Sequence, residues 1–521
     1  MKRRQLLGLA ASATVALPLV PFAARVAAQT PPPQVTIDEL SLDVDSLAAG
    51  TMDGVQLLPG LGLSLAGGRS SGSYTSAPLP AAYPFTHAAI RWMGERPEAI
   101  QFVLRFSSDG RAWSSWTPVQ IDSHAPGTAS TLRGAVVSAG QASFIQFRAS
   151  FSSAGGRPML QSVTLTTIDA GQSPAPSSLD TLPLASALTP GEFLRREQWG
   201  ADDLLRFDAG EEIWHRMYVP VKKVVVHHTA SSNDYQTIDD AKAEVRAIYA
   251  YHSVSLGWGD IGYNAIIDKW GNVYEGRHGR GRGSSREVLS DGVVAGHAFD
   301  HNYGSFGVAL LGTFTKPEEG EPGVVPSAAM QNALADVLAW ECRRSKVDPR
   351  EASDYLLTTD QWNKNLNNIP GHRDCTHTIC PGGYVYERLP ALRSAVASRL
   401  SGTPRAPTLI AYAGSRARPS EVEQSYFAWG SPGSTGRFLH LLEGWRRRPG
   451  SEDVEYLCGF DSAAEAAWSP TELGSSSFGY LFRAFGGESA APPPGHYTFH
   501  VAAIGDNGKP GYRHEHTILV G

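Results

Sequence analysis

Residues 223–230 have the sequence KVVVHHTA, and this stretch decides the fold of the middle of the chain. Its three consecutive valines favour a buried strand, because β-branched side chains pack well on a pleated surface. The two histidines then place nitrogen ligands where the strand ends. Further along, Val245, Ile248 and Tyr249 follow the spacing of one helix face. A strand followed by an amphipathic helix predicts a domain in which strands and helices alternate.

The same alternation continues to about residue 400. We predict a hairpin, a second buried strand and a long helix capped by Ser327, whose hydroxyl can accept a hydrogen bond from an unpaired amide of the first turn. These elements cover residues 263–275, 307–314 and 327–345. Residues 191–400 are therefore predicted to form an α+β domain with a mixed central sheet and flanking helices.

The segments on either side of this domain have a different pattern. Short alternating runs such as residues 100–106 (IQFVLRF) are separated by Ser, Gly and Asp turns, which is typical of antiparallel β-sandwiches. Connectors rich in Pro, Ala and Ser mark the borders. We predict a β-sandwich accessory domain over 35–170 and a second all-β, sandwich-like domain over 408–521.

Residues 1–28 are predicted to be a signal peptide of the twin-arginine type. Arg3 and Arg4 precede an uncharged stretch rich in Ala, Leu and Val. Pro18 and Pro21 interrupt that stretch, which argues against a retained membrane anchor. We expect export by the bacterial twin-arginine route to a periplasmic, cell-wall-associated or secreted location, with no integral membrane span after signal cleavage.

The charge of the 521-residue chain argues against one class of partner. It carries 45 basic and 51 acidic residues, a formal net charge of -6. Such a balance gives no broad electropositive surface for a phosphate backbone. Nucleic acid is therefore not an expected partner, and the sequence carries no signal for an oligomeric state.

Two segments carry residues that can bind a metal ion. One is the pair His227 and His228, and the other is residues 371–383, GHRDCTHTICPGG. Zinc hydrolases commonly use three His, Cys or carboxylate ligands and leave a fourth position for water. Residue chemistry leaves the choice open among six side chains, namely His227, His228, His372, His377, Cys375 and Cys380. It also leaves open that all six are ordinary polar loop residues.

Five motifs in order resemble the peptidoglycan recognition protein family, which includes the type 2 N-acetylmuramoyl-L-alanine amidases. They are VVVHHTA at 224–230, GWGDIGYN at 257–264, YEGR at 274–277, GHRD at 371–374 and TICPG at 378–382. The resemblance extends from about Arg195 to about Leu400. The two predicted β domains fall outside it.

This resemblance implies a ligand set and an activity. The zinc ligands of the family fall on His227, His372 and Cys380, and many non-catalytic members lack the cysteine. Tyr263 falls on the catalytic tyrosine, and Thr378 falls on a second catalytic position. The implied reaction is zinc-dependent hydrolysis of the amide bond between N-acetylmuramic acid and L-alanine in bacterial peptidoglycan, with peptidoglycan or a muropeptide as partner.

The implied mechanism is metal-assisted amide hydrolysis. Zinc would lower the pKa of water, the neutral phenol of Tyr263 would stabilise the oxyanion, and Thr378 would orient the water. The chain has no H-E-x-x-H helix, so a thermolysin-like protease is not supported. The alternative function is a non-catalytic peptidoglycan-binding envelope protein.

Three further residues match positions near the peptide groove of the family: Arg277, His297 and Asn302. Arginine can clamp a carboxylate, and the other two side chains can form hydrogen bonds with amides. The alternatives are an ion pair between Arg277 and a local acid, and a hydrogen bond from His297 to a buried backbone group.

The other cysteines allow two states. Cys342, in the predicted long helix, and Cys375 could form a disulfide in an exported protein, or both could be free thiols. Spacing does not decide between them, because a disulfide depends on the distance and orientation of the two side chains.

Overall fold

The fold is described for most of the chain after residue 34. The computed structural model describes residues 35–122, 128–172, 193–279, 289, 291–320, 323–357, 360–412, 414–431, 436–448, 451, 453–460, 468–489 and 491–521. The predicted signal peptide, residues 1–28, lies outside the described residues. All of the described residues belong to one unit.

The valine-rich segment belongs to a five-stranded central sheet. Its strands are β1 (Phe193–Leu194), β2 (Lys223–His228), β3 (Ala265–Ile267), β4 (Val273–Glu275) and β5 (Ser305–Leu310). Their order is β1-β4-β3-β5-β2. β3 and β4 form the predicted antiparallel hairpin, and the other neighbours are parallel. The prediction of a mixed sheet is confirmed.

Helices accompany this sheet along the chain. They are α1 (Arg196–Trp199), α2 (Ile238–Ala250), α3 (Ala328–Ser345), α4 (His372–Cys375), α5 (Gly383–Tyr386) and α6 (Leu389–Arg399). The backbone continues from α2 into a π-helical turn, Tyr251–Ser255. Ser327 caps α3, since its Oγ accepts a hydrogen bond from the Met330 amide at 3.0 Å. The predicted start and end of this helix are confirmed.

The two faces of the sheet have separate cores. Val224 and Val226 of β2 belong to the cluster that includes α3 and α6. On the other face, α2 packs against β3 and β5. Because successive side chains of a strand point to opposite faces, His227 lies on the α2 side and His228 on the α3 side.

The region before the central domain consists of strands that pair antiparallel in one network of eleven. They are Thr36–Leu42, Thr51–Asp53, Val55–Leu58, Gly62–Leu65, Ser71–Thr75, Leu79–Glu95, Ile100–Ser107, Thr117–Pro118, Thr131–Arg133, Val137–Ser152 and Met159–Asp169. The predicted strand content is confirmed. A sandwich arrangement with borders at 35 and 170 stays a prediction.

The region after the central domain is also rich in strands. A three-stranded sheet contains Thr408–Ala411, Tyr426–Gly430 and Ser475–Ser477, and a six-stranded sheet contains Arg416–Ala417, Phe438–Arg447, Val454–Cys458, Ser469–Thr471, Gly495–Ile504 and Pro510–Val520. Two helices, Pro419–Glu423 and Phe478–Ala484, accompany them. Side chains from both sheets share one core. The sandwich-like form and the border at 408 stay predictions.

Polar and aromatic contacts attach both flanking regions to the central domain. Arg246 of α2 donates a hydrogen bond to the Ala170 carbonyl at 2.7 Å. On the other side, Lys222 pairs with Glu443 at 2.7 Å, and Tyr303 stacks on Trp445 with ring centroids 5.2 Å apart. Among the described residues, no helix is both long enough and apolar enough to cross a membrane.

Candidate metal centre

Backbone pairing brings the two metal-binding segments together. The Val226 amide donates to the Pro370 carbonyl at 2.9 Å, and Val226 forms a parallel bridge with Gly371. His227 at the end of β2 therefore lies beside His372, the first residue of α4. This edge contact also covers β2, whose six residues are all buried.

The loop that carries Cys380 is held by a close packing contact. Gly382 has φ +84°, and a Cβ atom there would lie 2.4 Å from the Phe314 carbonyl carbon. Only glycine fits this approach without strain. Thr378 fixes the same loop, because its Oγ1 accepts a hydrogen bond from the Cys380 amide at 3.0 Å.

These contacts assemble His227, His372 and Cys380 into one cluster. One ligand atom from each lies within 4.8 Å of the others, and all three side chains are fully buried. The Nδ1 atom of His227 is 3.8 Å from Cys380 Sγ, and the rings of His227 and His372 have centroids 4.5 Å apart. Two imidazoles and one thiol form the donor set of a three-ligand zinc site, so the residues fit this ion.

Burial dominates the electrostatics of Cys380. It raises the pKa of the Cys380 thiol well above its ordinary value, while the amide of His228, a hydrogen-bond donor to Sγ at 3.3 Å, acts in the opposite direction. The thiol is therefore neutral in the absence of a cation. A thiolate at this position requires a positive charge beside it.

Tyr263 lies next to this cluster. Its ring centroid is 5.8 Å from that of His227, and its side chain is 2% exposed. Burial first, and then the nearby Cys380, raises the pKa of Tyr263 well above 10. The phenol is thus a neutral hydrogen-bond donor at neutral pH. His252, in the π-helical turn, packs against Tyr263 and accepts a hydrogen bond from the Gly262 amide at 3.1 Å.

The three residues predicted to contact a stem peptide form contacts within the protein itself. Arg277 pairs with Asp260 at 2.8 Å, which is the local-acid alternative, and its guanidinium lies 3.9 Å from the Trp214 ring centroid. His297 forms a hydrogen bond with His227, and Asn302 Oδ1 accepts from the Ala298 amide at 2.9 Å. A contact of Arg277, His297 or Asn302 with a stem peptide stays a prediction.

The three-residue cluster does not include the remaining candidates. His228 accepts a hydrogen bond from the Phe314 amide at 3.4 Å on the opposite sheet face, and His377 is exposed. Cys342, Cys375 and Cys458 are free thiols, as is Cys380. Of the two states left open by the sequence, the structure has Cys342 and Cys375 unbridged.

One buried network was not predicted from the sequence. Asp260 lies between two guanidiniums, accepting from Arg196 at 3.0 Å and from Arg277 at 2.8 Å. Its only signal in the sequence is an acid in the middle of the apolar motif GWGDIGYN. An acid flanked by glycine and isoleucine is a candidate for a buried ion pair, but the sequence does not identify its partners.

Comparisons with known proteins identify relatives of the central domain. Residues 217–383 match the family model described as N-acetylmuramoyl-L-alanine amidase. Peptidoglycan-recognition protein SC1a/b of Drosophila simulans is 32% identical over 165 residues, which make up 32% of this chain and 70% of that protein. The N-acetylmuramoyl-L-alanine amidase of Homo sapiens is 28% identical over 175 residues, 33% of this chain and 24% of that protein.

Similarity to solved structures covers less than half of this chain. Drosophila PGRP-LB is 22% identical, with 38% of this chain and 93% of that chain covered and a TM-score of 0.28. A complex of the PGRP-LCa and PGRP-LCx ectodomains with tracheal cytotoxin is 26% identical, with 37% and 92% covered and a TM-score of 0.27.

The sequence matches define the class of the central domain as an amidase-type recognition domain. The chain belongs to the peptidoglycan recognition protein family.

Proposed function

We propose that this chain is a zinc-dependent N-acetylmuramoyl-L-alanine amidase, which hydrolyses the amide bond between N-acetylmuramic acid and L-alanine in bacterial peptidoglycan. One observation carries the proposal: Cys380 completes a buried three-ligand set with His227 and His372. The match of residues 217–383 to an amidase family model supports the same activity.

The ligand residues define what the metal would contribute. When bound, zinc would activate a water molecule and polarise the substrate carbonyl. His227, His372 and Cys380 would hold it through two imidazole nitrogens and one thiolate. Because burial raises the pKa of the Cys380 thiol, we expect metal uptake to release a proton from this side chain.

The neighbouring side chains supply the rest of the proposed chemistry. Tyr263 keeps its phenolic proton, because its pKa is raised well above 10. Its hydroxyl would donate a hydrogen bond to the oxygen that gains negative charge as the amide carbonyl becomes tetrahedral. Thr378 would keep the Cys380 loop in place through the 3.0 Å bond to the Cys380 amide and orient the attacking water.

We further propose the domain organisation and location that the sequence predicts. In this proposal the twin-arginine signal directs the chain out of the bacterial cytoplasm, and the β-rich flanks at 35–170 and 408–521 accompany the amidase domain at 191–400. Amino-terminal sequencing of the exported protein would test the cleavage site near residue 28. An uncleaved amino terminus in the exported fraction would contradict it.

The test of the activity is cleavage by the purified mature protein with and without a chelator. Both soluble muropeptide and intact peptidoglycan are needed as substrates, because the three ligands and Tyr263 are buried and a polymer requires a wider opening than a fragment. We expect new muramic lactyl carboxylates and alanine amines that disappear with chelator and return with zinc.

Two serine variants provide the matched comparison. Cys380→Ser should lose cleavage and zinc binding, whereas Cys458→Ser, which alters a buried thiol in the carboxy-terminal β region, should retain both. If zinc-loaded protein binds muropeptide without releasing these groups, the amidase proposal is wrong and the non-catalytic binding function takes its place.

A further inference from the structure

His297 lies between a candidate metal ligand and the backbone. Its Nδ1 atom is 3.0 Å from Nε2 of His227, and its Nε2 atom is 3.2 Å from Oγ of Ser305. The Ser305 hydroxyl in turn donates to the carbonyl of His301. His297 has no exposed surface, so these contacts are made away from bulk water.

The direction of each hydrogen bond follows from the metal-facing atom. Nδ1 of His227 faces Cys380 Sγ at 3.8 Å, so this nitrogen must carry the lone pair for the ion. A neutral imidazole has one donor and one acceptor nitrogen. Nε2 of His227 is then the donor, and Nδ1 of His297 is its acceptor.

The rule that a neutral imidazole has one donor and one acceptor nitrogen also sets the direction of the next hydrogen bonds. Since Nδ1 of His297 accepts, its Nε2 carries the proton and donates to Ser305 Oγ. The Ser305 hydroxyl accepts this bond with its oxygen and uses its own proton for the His301 carbonyl. Every donor in this order meets an acceptor, so the arrangement is self-consistent from His227 to the backbone.

The position of the His297 ring is set by a glycine on β5. A Cβ atom at Gly307 would lie 2.3 Å from Cγ of His297, so only glycine leaves room for the ring. The Gly307 amide donates to Asn264 Oδ1 at 2.8 Å, which fixes the strand at this point. The rings of His227 and His297 meet edge to face, with centroids 4.9 Å apart.

We propose that His297 is a positioning residue that holds the His227 ring in one tautomer and one orientation, with Nδ1 presented to zinc. The inference rests on the proposed zinc site and assigns His297 a role in metal affinity through His227. Partners of this kind orient metal ligands in proteins, and their loss weakens metal binding by about 10- to 100-fold.

Zinc affinity of the full mature chain, measured by competition with a chromophoric chelator, tests this role. His297→Phe removes the acceptor and should weaken zinc binding by about 10- to 100-fold. His297→Gln restores an acceptor oxygen and should bind zinc more tightly than His297→Phe. The matched control is His377→Phe, the same change at an exposed site of the Cys380 loop, which should bind zinc like the wild type.

Two further measurements cover a variant that fails to fold. Gly307→Ala leaves His297 in the chain but displaces its ring, and it should weaken zinc binding in the same direction. In the zinc-loaded wild type, 15N NMR of the imidazoles should show the His297 proton on Nε2. A proton on Nδ1, or zinc affinity unchanged in His297→Phe, would overturn the inference.

The outcome is separable from that of the amidase proposal. If the wild type binds zinc and cleaves no peptidoglycan, the proposed function fails while the zinc affinities of the His297 variants still decide the positioning role. If the wild type cleaves and His297→Phe keeps its zinc affinity, only the positioning role fails.

Discussion

Replacement of Asp260 by asparagine should destabilise the central domain strongly, because it removes a buried carboxylate that pairs with two buried guanidiniums. The side chain of Asp260 is 0% exposed, and those of Arg196 and Arg277 are each 1% exposed. Asp260 also accepts hydrogen bonds from the amides of Ile261 and His278 at 2.8 and 2.9 Å. Its loss would remove the carboxylate paired with Arg277 and would leave Arg196 paired with the partly exposed Asp203.

The size of the effect can be bounded from the pKa of Asp260. Burial raises this pKa, but Arg196 and Arg277 more than offset burial and hold it at about 2, against an ordinary value of 3.8. That difference corresponds to on the order of 2 kcal/mol. Removing one partner of a buried ion pair costs about 3–5 kcal/mol, since the remaining charge is left uncompensated. We expect Asp260→Asn to lower the free energy of unfolding by an amount within this second range, about 3–5 kcal/mol.

The pKa values of the two arginines shift in opposite directions. Burial lowers the pKa of Arg277, whereas the pKa of Arg196 is raised, because Asp260 and Asp203 together outweigh its burial. Both guanidiniums remain charged at neutral pH, since arginine deprotonates only far above it. The expected cost of removing Asp260 therefore includes both charges.

Asp203→Asn is the matched control for Asp260→Asn. Asp203 contacts the same Arg196 at 2.8 Å but is 43% exposed, so water can replace its charge. We expect it to cost less than about 1 kcal/mol. Amide hydrogen exchange of peptides that cover residues 257–264 and 274–277 is the assay, because a multidomain chain does not unfold in two states. Equal protection in both variants would refute the argument.

The sign of the pH dependence is a second check on Asp260. A carboxyl whose folded-state pKa is lowered stabilises the fold above its unfolded value, 3.8, and this contribution is lost as the pH falls toward 2. The difference between the wild type and Asp260→Asn should therefore be constant from pH 7 to 5 and shrink below pH 4. A difference that grows on acidification would contradict the assignment.

Three other substitutions test the site and its attachments. Tyr263→Phe should lower kcat by about 10²- to 10³-fold with zinc affinity unchanged, since it removes one donor to the oxyanion, and full activity would exclude that role. Lys222→Met leaves the buried carboxylate of Glu443 without its ammonium partner and should cost about 3–5 kcal/mol at pH 7, seen as faster hydrogen exchange at residues 438–447. Because Lys222 and His500 offset burial and hold the pKa of Glu443 at about 2, this loss should diminish below pH 4. Arg246→Met removes the donor to the Ala170 carbonyl and should cost about 1–3 kcal/mol, seen as faster hydrogen exchange at residues 165–172.

The elements that the sequence predicts well are those set by local chemistry. The helix α3 begins after Ser327 because the serine hydroxyl caps its first turn. The capped amide belongs to Met330, only three residues further along the chain. Strand β2 is predicted by its valines in the same way. The bounds of strand β5 are predicted less well, as residues 307–314 instead of Ser305–Leu310. The strand ends at Leu310 because β2 and β3 stop pairing with it there.

The candidate ligands show where local chemistry becomes insufficient. His227 and His228 are adjacent and chemically identical, and no composition or spacing separates them. The strand does separate them, because neighbouring side chains point to opposite faces. His227 faces the α2 side beside Tyr263, whereas His228 faces the α3 side beside Phe314. Strand alternation is therefore the physical difference that separates the two histidines.

The roles of Arg277 and His297 could not be derived in this way, because each depends on a partner that is distant in the sequence. Asp260 precedes Arg277 by 17 residues, and His227 precedes His297 by 70. Both side chains have the chemistry to bind a peptide, and in the structure each also contacts a buried partner. The position of the His297 ring depends on Gly307, because a side chain at residue 307 would occupy the space of the ring. The contact between Gly307 and His297 forms only when the strands have paired, so the sequence alone does not predict it.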